Sequence, residues 1–115
     1  MKLLTAGLLK RLPPLFSTEE RRLEDIVVPC RFFAPDSCYA WFPFEFDPKT
    51  RFFFGWVEGQ YDSELAHFDL DYLESFRGLA GMKVERDLYW IYSSLAEVKN
   101  RWTDSRTNMD KYLCR

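Results

Sequence analysis

The segment "FPFEFDPKTRFFFGW", residues 42–56, decides the fold because two aromatic runs flank a stretch of turn-forming residues. The runs contain six Phe and one Trp, and two carboxylates, Glu45 and Asp47, lie among them. Aromatic residues are enriched in strands, and the Asp-Pro pair favours a turn. The segment therefore predicts a β-hairpin, and the position of its turn determines which side chains enter the core.

The hairpin has two candidate turns. A four-residue loop, 47–50, would put Phe52, Phe54 and Trp56 on the same face as the carboxylates. A three-residue loop, 48–50, would put six aromatic side chains on one face, with Glu45 and Asp47 on the other and Asp47 opposite Arg51. Because burying one large aromatic side chain contributes about 1.5–3 kcal/mol, we predict the three-residue loop. Its core face would hold Phe42, Phe44, Phe46, Phe52, Phe54 and Trp56.

The remaining patterns predict an α+β fold, with an antiparallel β-sheet of four or five strands in a meander and short helices packed against it. Leucines at helical spacing predict an N-terminal helix that ends before Pro13. Asp69 and Ser94 lie where helix N-caps are expected. The predicted strands are 26–33, 38–46, 51–57, the segment "SELAHFDL" at 63–70, and 82–92.

The length of 115 residues and the hydrophobic content of 47% fit one domain, which we place at 1–104, followed by a polar and partly disordered tail at 105–115. The formal net charge of −2 selects no class of partner.

Cys30, Cys38 and Cys114 lack zinc-type spacing and predict three reduced thiols. No segment is long and apolar enough to span a bilayer. We therefore expect a cytoplasmic protein without a membrane partner.

Catalytic chemistry has few candidate residues. The chain has a single histidine, His67, which supplies neither a nucleophile-activating pair nor a metal ligand set. Carboxylates on predicted strands are better candidates, because Mg²⁺ requires only oxygen ligands. They support an alternative function as a metal-dependent hydrolase or nuclease; no cofactor is otherwise indicated. These carboxylates are Glu45, Asp47, Glu58, Glu85 and Asp87.

Arg86 is the sharpest local candidate. In a strand over 82–92, Val84, Arg86, Leu88 and Trp90 would share one face, with Glu85 and Asp87 on the other. An arginine in an apolar row needs a partner, because an unpaired buried guanidinium costs several kcal/mol. That partner is either an internal carboxylate such as Glu45 or an anionic ligand.

Aromatic residues interleaved with Arg and Lys also allow a single-stranded nucleic-acid-binding module, since bases stack on exposed rings. Trp41, Phe53 and Tyr61 are the candidates for exposed rings. The same exposed rings would equally serve a protein partner.

Three blocks of the chain are similar to a small bacterial family catalogued as domain of unknown function 2958. They are "MKLLTAGLLKRLPPLFSTEE" at 1–20, "FFAPDSCYAWFPFEFDPKTRFFFGWVEG" at 32–59 and "ELAHFDLDYLESFRGLAGMKVERDLYW" at 64–90. The family has no established activity, and its members tend to lie on plasmids, integrative elements and phages. The resemblance implies an accessory role in the biology of mobile elements.

We therefore expect a non-catalytic interaction protein of mobile-element type that binds a host or element-encoded protein, such as a host defence or restriction component. The residues expected to contribute to ligand or partner binding are Arg86, Glu45, Asp47, Glu85, Asp87 and Trp41.

Overall fold

The computed structural model describes residues 2–105, with side chains up to Asn100. Its central feature is the hairpin of β3 (Ala40–Asp47) and β4 (Phe52–Glu58). The hairpin confirms the predicted pairing of the two aromatic runs.

The turn of this hairpin differs from the prediction. Asp47 pairs with Phe52, so the loop holds four residues, 48–51. Arg51 adopts a left-handed conformation with φ of 63°, and its N–H donates to the Asp47 carbonyl at 2.8 Å. The predicted three-residue loop is therefore wrong, and Phe54 lies on the same face as Glu45, as the four-residue alternative required.

A β-bulge at Phe44 shifts the register in the middle of the hairpin. Glu45 pairs with Phe54, whereas Pro43 pairs with Gly55, so Phe44 is the extra residue. The strands approach closely there: a Cβ atom on Gly55 would lie 2.3 Å from the carbonyl oxygen of Phe42. Gly55 is thus required by the backbone of the neighbouring strand.

The fold is α+β. A five-stranded antiparallel sheet has the order β5-β4-β3-β2-β6, and a separate two-stranded sheet pairs β1 with β7. In the described range, three α-helices and one 3₁₀-helix, Leu23–Asp25, accompany the sheets. The remaining strands are β1 (Val27–Val28), β2 (Phe32–Phe33), β5 (Ser63–Asp69), β6 (Glu85–Arg86) and β7 (Ser93–Ser94). The helices are α1 (Ala6–Leu9), α2 (Leu70–Ser75) and α3 (Leu95–Ser105).

Both predicted helix caps are confirmed. The side chain of Asp69 accepts a hydrogen bond from the N–H of Tyr72 at the start of α2. Ser94 Oγ accepts from the N–H of Glu97 at 3.1 Å, and Glu97 reaches back to the Ser94 N–H at 3.5 Å. This reciprocal arrangement is a capping box.

Apolar clusters cover both faces of the five-stranded sheet, in contrast to the predicted single core face. Phe46 pairs with Phe53 and belongs to the first cluster, together with Leu8 and Leu73. The bulge places Phe42 opposite Trp56, in the second cluster. The first cluster contains the N-terminal segment and α2, and the second contains residues of β1 and α3. The residues of the second cluster are Ile26, Val28, Ala40, Phe42, Phe44, Trp56, Leu95 and Val98.

Two predicted strands are shorter than expected. The strand at 26–33 is interrupted at Pro29, so Val27–Val28 pairs with β7 and Phe32–Phe33 joins the main sheet. The strand at 82–92 shrinks to Glu85–Arg86, because the chain turns at Asp87, whose carboxylate accepts from the Tyr89 N–H at 3.0 Å. The predicted tail lies outside the described residues, apart from Ser105 at the end of α3.

The close approach at Gly55 gives a test of the hairpin. We expect Gly55→Ala to lower the free energy of unfolding by about 3 kcal/mol, the upper end of the range for overpacking, because backbone atoms cannot move aside. Gly7→Ala is the matched control: its Cβ atom would have only Thr5 Oγ1 nearby, at 3.9 Å, and alanine stabilises a helix by about 0.5–1 kcal/mol relative to glycine. Urea unfolding of both variants checks this. Equal stability of the two variants would contradict the described hairpin.

Candidate functional site

Glu45 is a buried carboxylate that holds the 16–18 segment against the sheet. Glu45 is only 2% exposed. Oε1 accepts from the N–H of Phe16 at 2.8 Å, and Oε2 accepts from the N–H of Thr18 at 3.0 Å and from the Thr18 hydroxyl. These donors compensate the desolvation of the charge, so Glu45 is a structural anchor.

A groove of about 420 Å³ lies beside this anchor, on the face of the sheet that carries the second cluster. Phe16 lies at its edge in a left-handed conformation with φ of 68°, and its ring is 6.0 Å from the His67 ring. The His67 ring in turn packs on Phe54 at 4.7 Å. We call this the Phe54 groove. Its apolar and aromatic lining comprises Phe16, Leu23, Ile26, Phe44, Phe54, Leu65, His67 and Leu95.

The other predicted carboxylates have local structural contacts. Asp47 accepts from the Lys49 N–H at 3.0 Å and from the Thr50 hydroxyl at 3.1 Å, so it stabilises the hairpin turn. The predicted pair of Asp47 with Arg51 is wrong, because Arg51 forms a 2.9 Å ion pair with Asp71.

Arg86 is half-buried, and its guanidinium donates to the backbone carbonyls of Lys2 and Leu3, the latter at 3.1 Å. The Glu45 carboxylate binds the 16–18 segment, so Glu45 is not the partner of Arg86. Arg86 therefore fastens the N-terminal segment to β6.

Neighbouring residues of Arg86 diverge. Asp87 forms an ion pair with Arg31 at 3.3 Å. Glu85, in β6, is half-buried and lies opposite Phe33 of β2. Trp41 is only 3% exposed, and its ring contacts Phe76 at 5.5 Å. Trp41 is thus a core residue and not a surface for stacking bases.

The structure does not bring the predicted site residues together into one cleft. Among the side chains described up to Asn100, no three from His, Cys, Asp or Glu are arranged to hold a metal ion. Glu58 is buried at the far end of β4, where it accepts from the Ser63 hydroxyl. Among the rings proposed for stacking, Phe53 is buried and only Tyr61 is exposed.

The prediction of three reduced thiols concerns Cys30, Cys38 and Cys114. Cys114 lies outside the described residues. Cys30 is a free, buried cysteine. Burial raises the pKa of its thiol to about 12, and the nearby positive charge of Arg86 partly opposes the shift.

An exposed apolar segment follows β6, and the sequence patterns did not reveal its exposure. Leu88 is 65% exposed, Tyr89 91% and Ile91 78%. Trp90 anchors the segment, since its indole N–H donates to the Val28 carbonyl at 2.9 Å and its ring lies 5.7 Å from that of Phe42. The alternation within "DLYWIY", residues 87–92, predicts a strand. The run of large apolar residues is the only other feature of the sequence that marks this segment.

Residues 3–102 match the model of the family described as "Protein of unknown function (DUF2958)". The chain belongs to this family. No curated protein and no solved structure matches the chain. The described part of the chain contains no helix with the length and hydropathy needed to span a membrane.

The anchoring role of Glu45 is tested by Glu45→Gln. We expect the free energy of unfolding to fall by about 1.5–3 kcal/mol, because charge-assisted hydrogen bonds are lost and the new amide N–H₂ faces backbone donors. Glu64→Gln, at an exposed position, should change stability by less than about 0.5 kcal/mol. Chemical denaturation measures both. An unchanged Glu45→Gln would show that the 16–18 segment does not depend on this carboxylate.

The raised pKa of Cys30 gives a pH prediction. An unfolded thiol ionises above its ordinary pKa of 9.0, whereas the folded thiol stays protonated up to about 12. The contribution to stability is therefore complete below pH 9 and falls as the pH rises above it, by about 1.4 kcal/mol per pH unit. Urea unfolding between pH 8 and 10.5 measures it as the difference between the wild type and Cys30→Ala. Parallel pH profiles would contradict a buried, protonated Cys30.

Proposed function

We propose that the chain is a non-catalytic interaction protein, and that the 88–92 segment is its main contact with a protein partner. The exposure of Leu88, Tyr89 and Ile91 carries this proposal. Exposed apolar side chains that lie close together along the chain are typical of protein interfaces, where Tyr is enriched among the residues that dominate affinity.

The way in which the segment is held supports this role. The Trp90 contacts with Val28 and Phe42 fix the backbone, and the Arg11 guanidinium packs on the Tyr92 ring at 5.1 Å. The exposed side chains are therefore presented from a supported backbone, which lowers the entropy lost on binding.

The partner we propose is a host or element-encoded protein, such as a host defence or restriction component. The mobile-element setting of this proposal comes from the resemblance to the family. The engagement of Glu45 and Asp87 in internal contacts favours the interaction role over hydrolysis by strand carboxylates.

Affinity capture from host-cell lysate tests the proposal with the double variant Leu88→Ser/Ile91→Ser. We expect the wild-type chain to retain one protein in stoichiometric amount and the double variant to retain at least about tenfold less, because hot-spot residues each contribute 2 kcal/mol or more. Leu79→Ser is the matched control, since Leu79 is 88% exposed at another site and should leave capture unchanged.

Two results would contradict the proposal. Absence of any stoichiometric protein would remove the interaction role. Equal retention by the wild type and the double variant would remove the 88–92 segment as the contact.

A further inference from the structure

Strand β5 forms one outer edge of the five-stranded sheet. It runs for seven residues, Ser63–Asp69, in unbroken register with β4. Edge strands are ordinarily protected by shortness, proline, lysine or a bulge. The opposite edge, β6, is only two residues long, whereas "SELAHFD" in β5 is longer and has no proline, lysine or bulge; its charged residues are Glu64 and Asp69.

The hydrogen bonds at both ends of the β4–β5 pair show which backbone groups face outward. The Gly59 N–H donates to the Asp62 carbonyl at 2.8 Å, and the Leu70 N–H donates to the Arg51 carbonyl at 2.9 Å. Directly opposed residues alternate between bonded and non-bonded pairs in an antiparallel ladder. Every second pair of opposed residues, counted from either of these bonds, is therefore hydrogen-bonded. The backbone groups of Glu64, Ala66 and Phe68 bond to β4.

The N–H and carbonyl groups of Leu65 and His67 therefore point away from β4. Within the described chain, these outward groups form no backbone hydrogen bond with another element. The two residues thus offer a row of donors and acceptors with the spacing that another extended strand requires.

The side chains along this edge limit the sequence of an added strand. Leu65 and His67 lie opposite Trp56 and Phe54 and line the Phe54 groove. On the other face, the exposed Glu64 carboxylate lies opposite Val57. An added strand would place an apolar side chain toward the groove and a neighbouring basic side chain beside Glu64.

We propose that β5 binds an extended segment of a partner protein as a sixth strand, with an apolar residue in the Phe54 groove and a basic residue beside Glu64. This inference rests on the proposed role as an interaction protein, but it concerns a surface distinct from the 88–92 segment. Backbone hydrogen bonds would supply affinity, and the groove and Glu64 would supply specificity.

Peptides selected from a phage-displayed library of random 12-residue sequences provide the probe. The full chain serves as bait, and the selected peptide is synthesised and titrated calorimetrically. Leu65→Pro removes an outward N–H but no bond to β4, so we expect the fold to be retained. We expect it to weaken binding by about tenfold or more, since a backbone bond is lost and the ring obstructs the edge. Leu65→Ala is the matched control, which keeps the N–H and shortens only the side chain in the groove.

Amide hydrogen exchange of the wild type gives a second measurement that does not depend on a variant. The amides of Leu65 and His67 should exchange rapidly in the free chain and become protected when the peptide binds. The amides of Glu64 and Ala66 should be protected in both states.

Three results would overturn the proposal: selected peptides that bind Leu65→Pro as tightly as the wild type, slow exchange of the Leu65 and His67 amides in the free chain, or a wild-type dimer that Leu65→Pro dissociates. The last result would identify a second copy of the chain as the occupant. Binding of the peptide by Leu88→Ser/Ile91→Ser with unchanged affinity would separate the β5 edge from the 88–92 segment.

Discussion

The close approach of β3 to β4 at Gly55 is the constraint on which the rest of the structure depends. A Cβ atom at position 55 would lie 2.3 Å from the carbonyl oxygen of Phe42, so only glycine fits there. The bulge at Phe44 forms in the strand that faces Gly55. The bulge returns Phe42 to the face of Trp56 while Phe46 remains on the face of Phe53. Both faces of the sheet therefore become apolar, and separate parts of the chain cover each of them.

The sequence patterns were sufficient for the α+β class, the β3–β4–β5 meander and the caps at Asp69 and Ser94, because these depend on local periodicity and local hydrogen bonds. They were insufficient for the hairpin register. Strict alternation assigns Phe42, Phe44 and Phe46 to one face. The bulge accompanies the close approach of the two strands at Gly55, which the alternation of residues along one strand cannot predict. Likewise, the turn at Asp87 ended a strand that periodicity extended to residue 92.

The candidate site was harder to predict for the same reason. Glu45 was expected to contact a ligand or partner, whereas its carboxylate accepts hydrogen bonds from Phe16 and Thr18, which are distant in sequence. Arg86 did need partners, yet backbone carbonyls of the N-terminal segment supply them. The exposed 88–92 segment and the open edge of β5 follow from tertiary burial and strand order, which a single sequence does not show.

The most direct test of this account is the cross-strand pattern of backbone nuclear Overhauser effects in the β3–β4 hairpin. The bulged register predicts effects between Glu45 and Phe54 and between Phe42 and Trp56 in the same molecule. A continuous ladder from Glu45 and Phe54 would instead pair Phe42 with Val57. Observation of the Phe42–Val57 pairing would contradict the bulge, the two-faced core and the anchoring of the 16–18 segment by Glu45.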